Sequence, residues 1–239
     1  MSRVIGTITN EGYACQIRED DDKRVYFVAD ADIDADGANG QNDQLPAYTT
    51  DDSGSELLAN GGMKIVGGKV ICAKPWARSI VILGEDNEPK VFPGGVIASM
   101  TWYRHPGMKA NDPAAYVDAE TVPYIVVPHL IVQGVAGIVR GCKARVTYDG
   151  KSVDCVVADR GPANKIGELS IAAARAVGLP SVNFRHIGAT DFRRNGATFD
   201  CDFRGSNRVA RMRDLACFCN SNSGLKTVYK SSAHSSRVM

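Results

Sequence analysis

The stretch KARVTYDGKSVDCVVADRGPANKIGELSIAAARAVGL, Lys143–Leu179, decides how this chain is read. Lys143–Tyr148 and Ser152–Ala158 are short, rich in Val and Tyr, and read as two strands. Asp149-Gly150 between them is a two-residue hairpin turn, in which both central residues need positive φ. The second strand delivers Asp159, and Arg160-Gly161-Pro162 turns the chain. Ser170 is a good N-cap, Ile171–Val177 an Ala-rich helix, and Gly178 fits the left-handed position after it. Pro180 forbids continuation. Glu168 stands just before the N-cap. Two carboxylates thus lie at element ends beside Gly residues, where chemistry is commonly mounted. Their purely structural reading is that Asp159 caps the turn and Glu168 supports the helix start.

Outward from this segment the chain reads β-rich. Further strands are expected at Val4–Thr9, Arg24–Ala29, Lys64–Val66, Lys69–Ala73, Ser79–Leu83, Val96–Met100 and Tyr124–Val127. Gly67-Gly68 is a second tight turn, and the polar run from Asp43 to Asn60 a long surface loop. Thr121–Val139 is uncharged over its whole length. Its Pro and Gly residues, with β-branched clusters at Ile125–Val127 and Leu130–Val132, favour two buried strands over a membrane span. His129 is expected in the second of them. Three segments follow: an acidic strand region 1–60, a core 61–184 and a basic, irregular extension 185–239.

Composition bounds the function classes. The chain has 239 residues and a formal net charge of +1, with 44% hydrophobic and 23% charged residues. That is ordinary globular composition and excludes a polybasic nucleic-acid binder. The small total hides a gradient. Residues 1–60 hold 4 basic against 13 acidic residues, and 185–239 hold 10 against 4. The Arg-rich extension lacks a basic helix stripe and reads as a solvated surface. Seven Cys, an odd count, leave at least one thiol free. Buried free thiols are expected. A metal site of Cys201, Cys217, Cys219 and His186 has the wrong spacing for a zinc knuckle. No apolar run follows a basic start in Met1–Gln16, so no secretory leader is expected.

Three separated pieces resemble the chitosanases of glycoside hydrolase family 75: Ala29–Gly37 (ADADIDADG), Pro123–Pro128 (PYIVVP) and Gly150–Ala172 (GKSVDCVVADRGPANKIGELSIA). The likeness runs in order over residues 24–180. In that family an Asp at a strand end and a Glu at a helix entrance are catalytic, and these roles fall on Asp159 and Glu168. Ala35 stands where the family commonly has Cys. The resemblance implies internal hydrolysis of β-1,4-glucosamine polymers by inversion. Glu168 is then the expected general acid and Asp159 the general base, although the sequence leaves the two interchangeable. Two carboxyl groups suffice for this chemistry, so no metal or cofactor is expected. VVADRGPANKIGELSIAAARAVGL also resembles the rare lipoprotein A proteins, lytic transglycosylases with a double-psi β-barrel. This likeness implies a mainly β (α+β) fold: a double-psi-like barrel core with one short helix. It also supplies peptidoglycan as an alternative substrate, and expansin-like binding without cleavage as another.

The acidic end has a reading within this frame. Asp30, Asp32, Asp34 and Asp36 alternate, and a continuing strand would place all four on one face. Like charges on one face repel, so folding alone does not favour them. A cationic polysaccharide would be drawn to them. The pattern Asp32-x-Asp34-x-Asp36-Gly37, with Asp43 further on, also fits part of a calcium loop. Trp102 and Tyr148 are the expected aromatic platforms for sugar rings, beside the core role that any single aromatic more often has. Partners are therefore chitosan alone, with no nucleic acid or membrane and a monomeric chain. The substrate is extracellular, and without a leader the expected route is release by lysis.

Overall fold

The computed structural model describes residues 2–10, 13–21, 24–29, 31–134, 140–179 and 215–218. Pro180, Asp30, and the expectations for Cys201, Cys219, His186 and the Arg-rich extension lie outside the described residues. The architecture is mainly β, with two short helices and one strongly curled, half-barrel sheet.

The long sheet has nine strands. They are β1 (Arg3–Asn10), β2 (Tyr13–Glu19), β3 (Val25–Phe27), β4 (Asp32–Asp34), β10 (Tyr124–Pro128), β11 (Lys143–Tyr148), β12 (Lys151–Gly161), β13 (Glu168–Ser170) and β14 (Leu215–Phe218). Their order is β1-β2-β3-β14-β11-β12-β10-β13-β4. Strands from all three sequence segments join this sheet, including β14 from the basic extension. Its neighbours are antiparallel except β10 with β12 and β4 with β13. Two small sheets stand apart. One joins β5 (Tyr48–Thr49), β9 (Val96–Ile97) and β8 (Val91–Phe92); the other pairs β6 (Met63–Val66) with β7 (Lys69–Cys72).

The deciding segment folds as its residues dictate. Asp149 and Gly150 take φ of 45° and 78°, and the β11–β12 hairpin follows in strict register. Along β11, Ala144, Val146 and Tyr148 alternate into the core. Helix α2 (Ile171–Val177) starts where Ser170 Oγ accepts the N–H of Ala173 at 3.1 Å. Gly178 ends it at φ 72°. Ser170 also ties the helix entrance to the sheet. Its hydroxyl accepts the N–H of Tyr124 and donates to the carbonyl of Val122, each at 2.9 Å.

Several expectations need correction. The described residues hold two α-helices, not one: His129–Gly134 forms α1, so Leu130–Val132 is helical where a second strand is expected, and His129 opens the helix. Ile131 is fully buried there, and its packing overrides the β propensity of this β-branched run. No helix among the described residues is long and apolar enough to cross a membrane. Ser79–Leu83 makes only isolated bridges, Val81 to Ser99 and Leu83 to Pro89, after a 3-10 turn at Pro75–Ser79. Arg24–Ala29 shortens to β3. The core holds Tyr124, Phe27, Ile17, Ile125 and Leu169 at or near zero exposure. Cys72 and Cys155 are free thiols, and burial pushes the Cys155 thiol up to about 12.

Candidate active site

Parallel and antiparallel pairing around β10 builds the site. Val126 of β10 is in register with Asp159 of β12. On its other side Ile125 pairs with Leu169 in the antiparallel sense, which sets Glu168 beside Val126. Asp159 and Glu168 therefore flank one valine on three adjacent strands, roughly 10 Å apart at the backbone by strand spacing. Asp159 lies inside β12 rather than past its end. Its Oδ1 accepts the N–H of Arg160 at 2.7 Å and of Trp102 at 2.9 Å. The Tyr103 N–H donates to the Ala158 carbonyl at 2.8 Å, so residues 102–103 run along this strand. Gly161 leaves room for Glu168: a Cβ there would stand 2.7 Å from Glu168 Oε2.

β4 brings in the acidic row. Its parallel pairing sets Asp32 beside Glu168 and Asp34 beside Ser170. The strand stops at Asp34, so Asp36 lies in a turn and the expected continuous face is not formed. The turn carries the row inward. The Asp36 N–H donates to Asp34 Oδ1 at 2.8 Å, and Tyr124 Oη donates to the carbonyls of Asp36 and Asp34 at 2.9 and 3.3 Å. Asp34, Asp36 and Asp159 each offer a carboxylate oxygen, all within 4.8 Å of one another. Asp36 Oδ1 is buried with no hydrogen-bond partner. The calcium-loop pattern is not assembled, because Asp32 turns to Lys165 and Asp43 is exposed on a 3-10 turn.

Lys165 is the cation of the site. Its Nζ stands 2.6 Å from Glu168 Oε1 and 3.6 Å from Asp32 Oδ2. Sequence reasoning passed over it, although its i,i+3 spacing to Glu168 was visible. Glu56 was also missed. It comes from the long polar loop, is 8% exposed, and accepts the Asn60 side-chain amide at 3.1 Å. No sequence spacing links Glu56 to the other carboxylates.

Burial and like charge set the protonation here. Burial raises Asp159 to about 6; the Arg160 and Trp102 N–H groups oppose this and Glu168 adds to it. Asp34 lies well above the carboxylate range, through burial and then the charges of Asp159 and Glu168. Asp36 follows, through burial and then Asp34 and Asp159. Burial lifts Glu56 to about 7. For Lys165, burial pulls downward, but the charges of Glu168 and Asp32 outweigh it and hold the ammonium above its ordinary value.

A stability prediction follows. Asp159 and Glu56 bind protons more tightly in the fold than in the unfolded chain, where values of about 3.9 and 4.3 apply. Such groups stabilise the fold below their unfolded values and lose that contribution as pH rises through their folded ones. The melting temperature should therefore be highest near pH 4–5 and fall through the window up to about 7. At about 1.4 kcal/mol per pKa unit the loss is on the order of 6 kcal/mol. Thermal melts from pH 4 to 8 check this; a melting temperature that climbed across the window would contradict it.

The aromatic expectations divide. Trp102 is half-buried beside Asp159, with the Arg160 guanidinium 5.8 Å over its ring. It lines an open cleft of about 580 Å³ with Tyr103, Arg104, His105, Tyr116 and Arg140. Tyr148 is 6% exposed in the core, because the β11 alternation points it inward. No protein-family model and no curated protein matches the chain.

Proposed function

We propose that this protein is an endo-acting glycoside hydrolase that cleaves β-1,4-glucosamine linkages in chitosan, with Asp159 and Glu168 as its catalytic pair. The observation that carries the reading is their placement on either side of Val126 across three strands. Backbones roughly 10 Å apart are consistent with the wider carboxyl separation that inversion requires. Glu168 and Asp32, partly exposed at 14% and 21% of their side chains, give an ammonium-bearing sugar anionic partners. In this reading the curled sheet is the wall of a double-psi-like barrel. Its parallel pairs, β10 with β12 and β4 with β13, support that assignment. The enzyme acts as a monomer on extracellular polysaccharide and uses its carboxyl groups alone.

One observation favours a second substrate. The cleft beside Trp102 is lined by Arg104 and Arg140 and, among the described residues, by no carboxylate. Cations there suit a sugar that carries a carboxylate, as the muramic acid of peptidoglycan does. The test offers soluble chitosan and denuded peptidoglycan side by side, counting new reducing ends from the first and soluble glycan fragments released from the second, because lytic transglycosylation leaves no reducing end. Chitosan cleavage is expected. Fragments from peptidoglycan alone would transfer the site to the second substrate. Polymer binding with neither new ends nor released fragments would make the protein an expansin-like binding barrel.

A further inference from the structure

Lys165 lies on the loop between β12 and β13, and two-carboxylate hydrolysis calls for no cation at that place. Its ammonium nevertheless sits against Glu168 Oε1 at 2.6 Å, within reach of Asp32 Oδ2 at 3.6 Å, with 29% of its side chain exposed. A fixed ammonium at hydrogen-bond distance is complementary to a carboxylate and not to a carboxylic acid. On the other side of Val126 carboxyl groups crowd together, although Asp159 Oδ1 also accepts the N–H groups of Arg160 and Trp102. Asp159 shares its space with Asp34 and Asp36, three carboxyl groups with oxygens within 4.8 Å. Like charges so close cannot all be ionised, so protons stay in that group. Asp36 Oδ1, buried and without a donor, has no partner to stabilise a full negative charge.

We propose that Lys165 assigns the roles within the pair, holding Glu168 as the base that activates water and leaving Asp159 as the acid. This rests on the hydrolase reading above and reverses the roles the sequence resemblance implies. In the step, the Asp159 proton passes to the glycosidic oxygen as its bond to the anomeric carbon breaks. The bonding electron pair leaves with that oxygen. Water bonds to the anomeric carbon from the opposite face and gives one proton to Glu168. Proton exchange with solvent, losing one at Glu168 and gaining one at Asp159, restores the starting state with one water consumed. Lys165 touches none of the reacting atoms and is a positioning residue.

The other charged and titratable groups facing the pair fit this division. Glu168 faces Asp32 from β4 and Lys165 from its own loop, with Asp159, Asp34, Asp36 and Glu56 further off. Asp159 faces Asp34 and Asp36, the Arg160 beside it, Tyr124 from β10 and Tyr48 from β5. The burial that raises Asp159 to about 6 keeps it protonated under mildly acidic conditions.

The experiment compares pH–rate profiles of the wild type, Lys165→Met and Lys165→Arg on fully deacetylated chitosan oligomers. In Lys165→Met the acidic limb should move to higher pH, so that rate is lost on that limb and kept on the plateau. The basic limb should stay in place, and Lys165→Arg should restore the wild-type profile. Movement of the basic limb instead would make Glu168 the acid and overturn the proposal. A profile with neither limb moved would overturn it as well. A second readout needs no substrate: carboxyl carbon NMR of the labelled protein, assigned with Glu168→Gln and Asp159→Asn. Near pH 5 the carboxyl of residue 159 should still be largely protonated. A fully ionised carboxyl at 159 there would refute the role assignment whether or not chitosan is cleaved. Failure to cleave chitosan with a protonated carboxyl at 159 would sink only the substrate reading.

Discussion

If the protein hydrolyses chitosan as proposed, Glu168→Gln or Asp159→Asn should lower the rate by about 10²–10⁴-fold and leave the fold in place, the range that proton transfer by a positioned side chain supplies. Each change keeps the shape of the side chain and removes its ability to exchange a proton. At Asp159 the amide oxygen can still accept the N–H groups of Trp102 and Arg160. Its new NH₂ group faces Asp34 and Asp36, whose carboxyl oxygens can accept from it. The variant also loses a buried like charge, so its melting temperature above pH 6 should equal or exceed that of the wild type. At Glu168 the amide oxygen can still accept from Lys165, although the ion pair becomes a hydrogen bond from an ammonium to a neutral amide. The double variant should be little worse than either single one, because the two residues act in the same step. Rates near wild type in either single variant, with the fold shown intact by circular dichroism, would remove that residue from the pair.

The largest effect on stability belongs to Gly37→Ala. Gly37 has φ of 82°, and its N–H donates to Ser99 Oγ at 2.9 Å. A Cβ built there would stand 1.9 Å from the carbonyl oxygen of Val117, a backbone atom that cannot move aside alone. The turn it occupies fixes Asp36 and, through the Tyr124 hydroxyl, the carbonyl end of β4. The expected loss is about 3–5 kcal/mol, from backbone strain and a clash in a packed interior. Gly68→Ala is the control. Gly68 has φ of 77°, but nothing lies within 4 Å of a Cβ there, so only the conformational cost of about 1 kcal/mol applies. Chemical denaturation of both variants separates the two costs. Equal losses would mean that the close approach at Val117 is not tight.

These predictions draw unevenly on what the sequence makes legible. The β11–β12 hairpin and helix α2 could be read directly. Their turn, cap and alternation signals are local, and tertiary packing agrees with them. The placement of Asp159 and Glu168 across Val126 could not, because it depends on the pairing of β10 with two strands from elsewhere in the chain. The union of β4 with β13 is also non-local, so the Asp row appeared as a surface face when its end folds inward. Helix α1 was hidden because β-branched residues are ambiguous over short apolar runs. β2 was missed although Cys15 and Ile17 alternate with Gln16 and Arg18, since four such residues carry little apolar weight. Tyr148 was misplaced because an aromatic near a turn looks exposed in sequence, and only the register shows it facing the core. Glu56 left no trace at all: chain closure alone brings this loop to the site.

Proton nuclear magnetic resonance of a fully deacetylated chitosan hexamer during the first minutes of reaction tests the central claim most directly. The account predicts internal cleavage whose new reducing ends appear first as the α anomer, since inversion converts a β linkage to an α product. It also predicts that Asp159→Asn and Glu168→Gln abolish this signal. New ends appearing first as the β anomer, or a hexamer left intact by the folded wild-type protein, would contradict it.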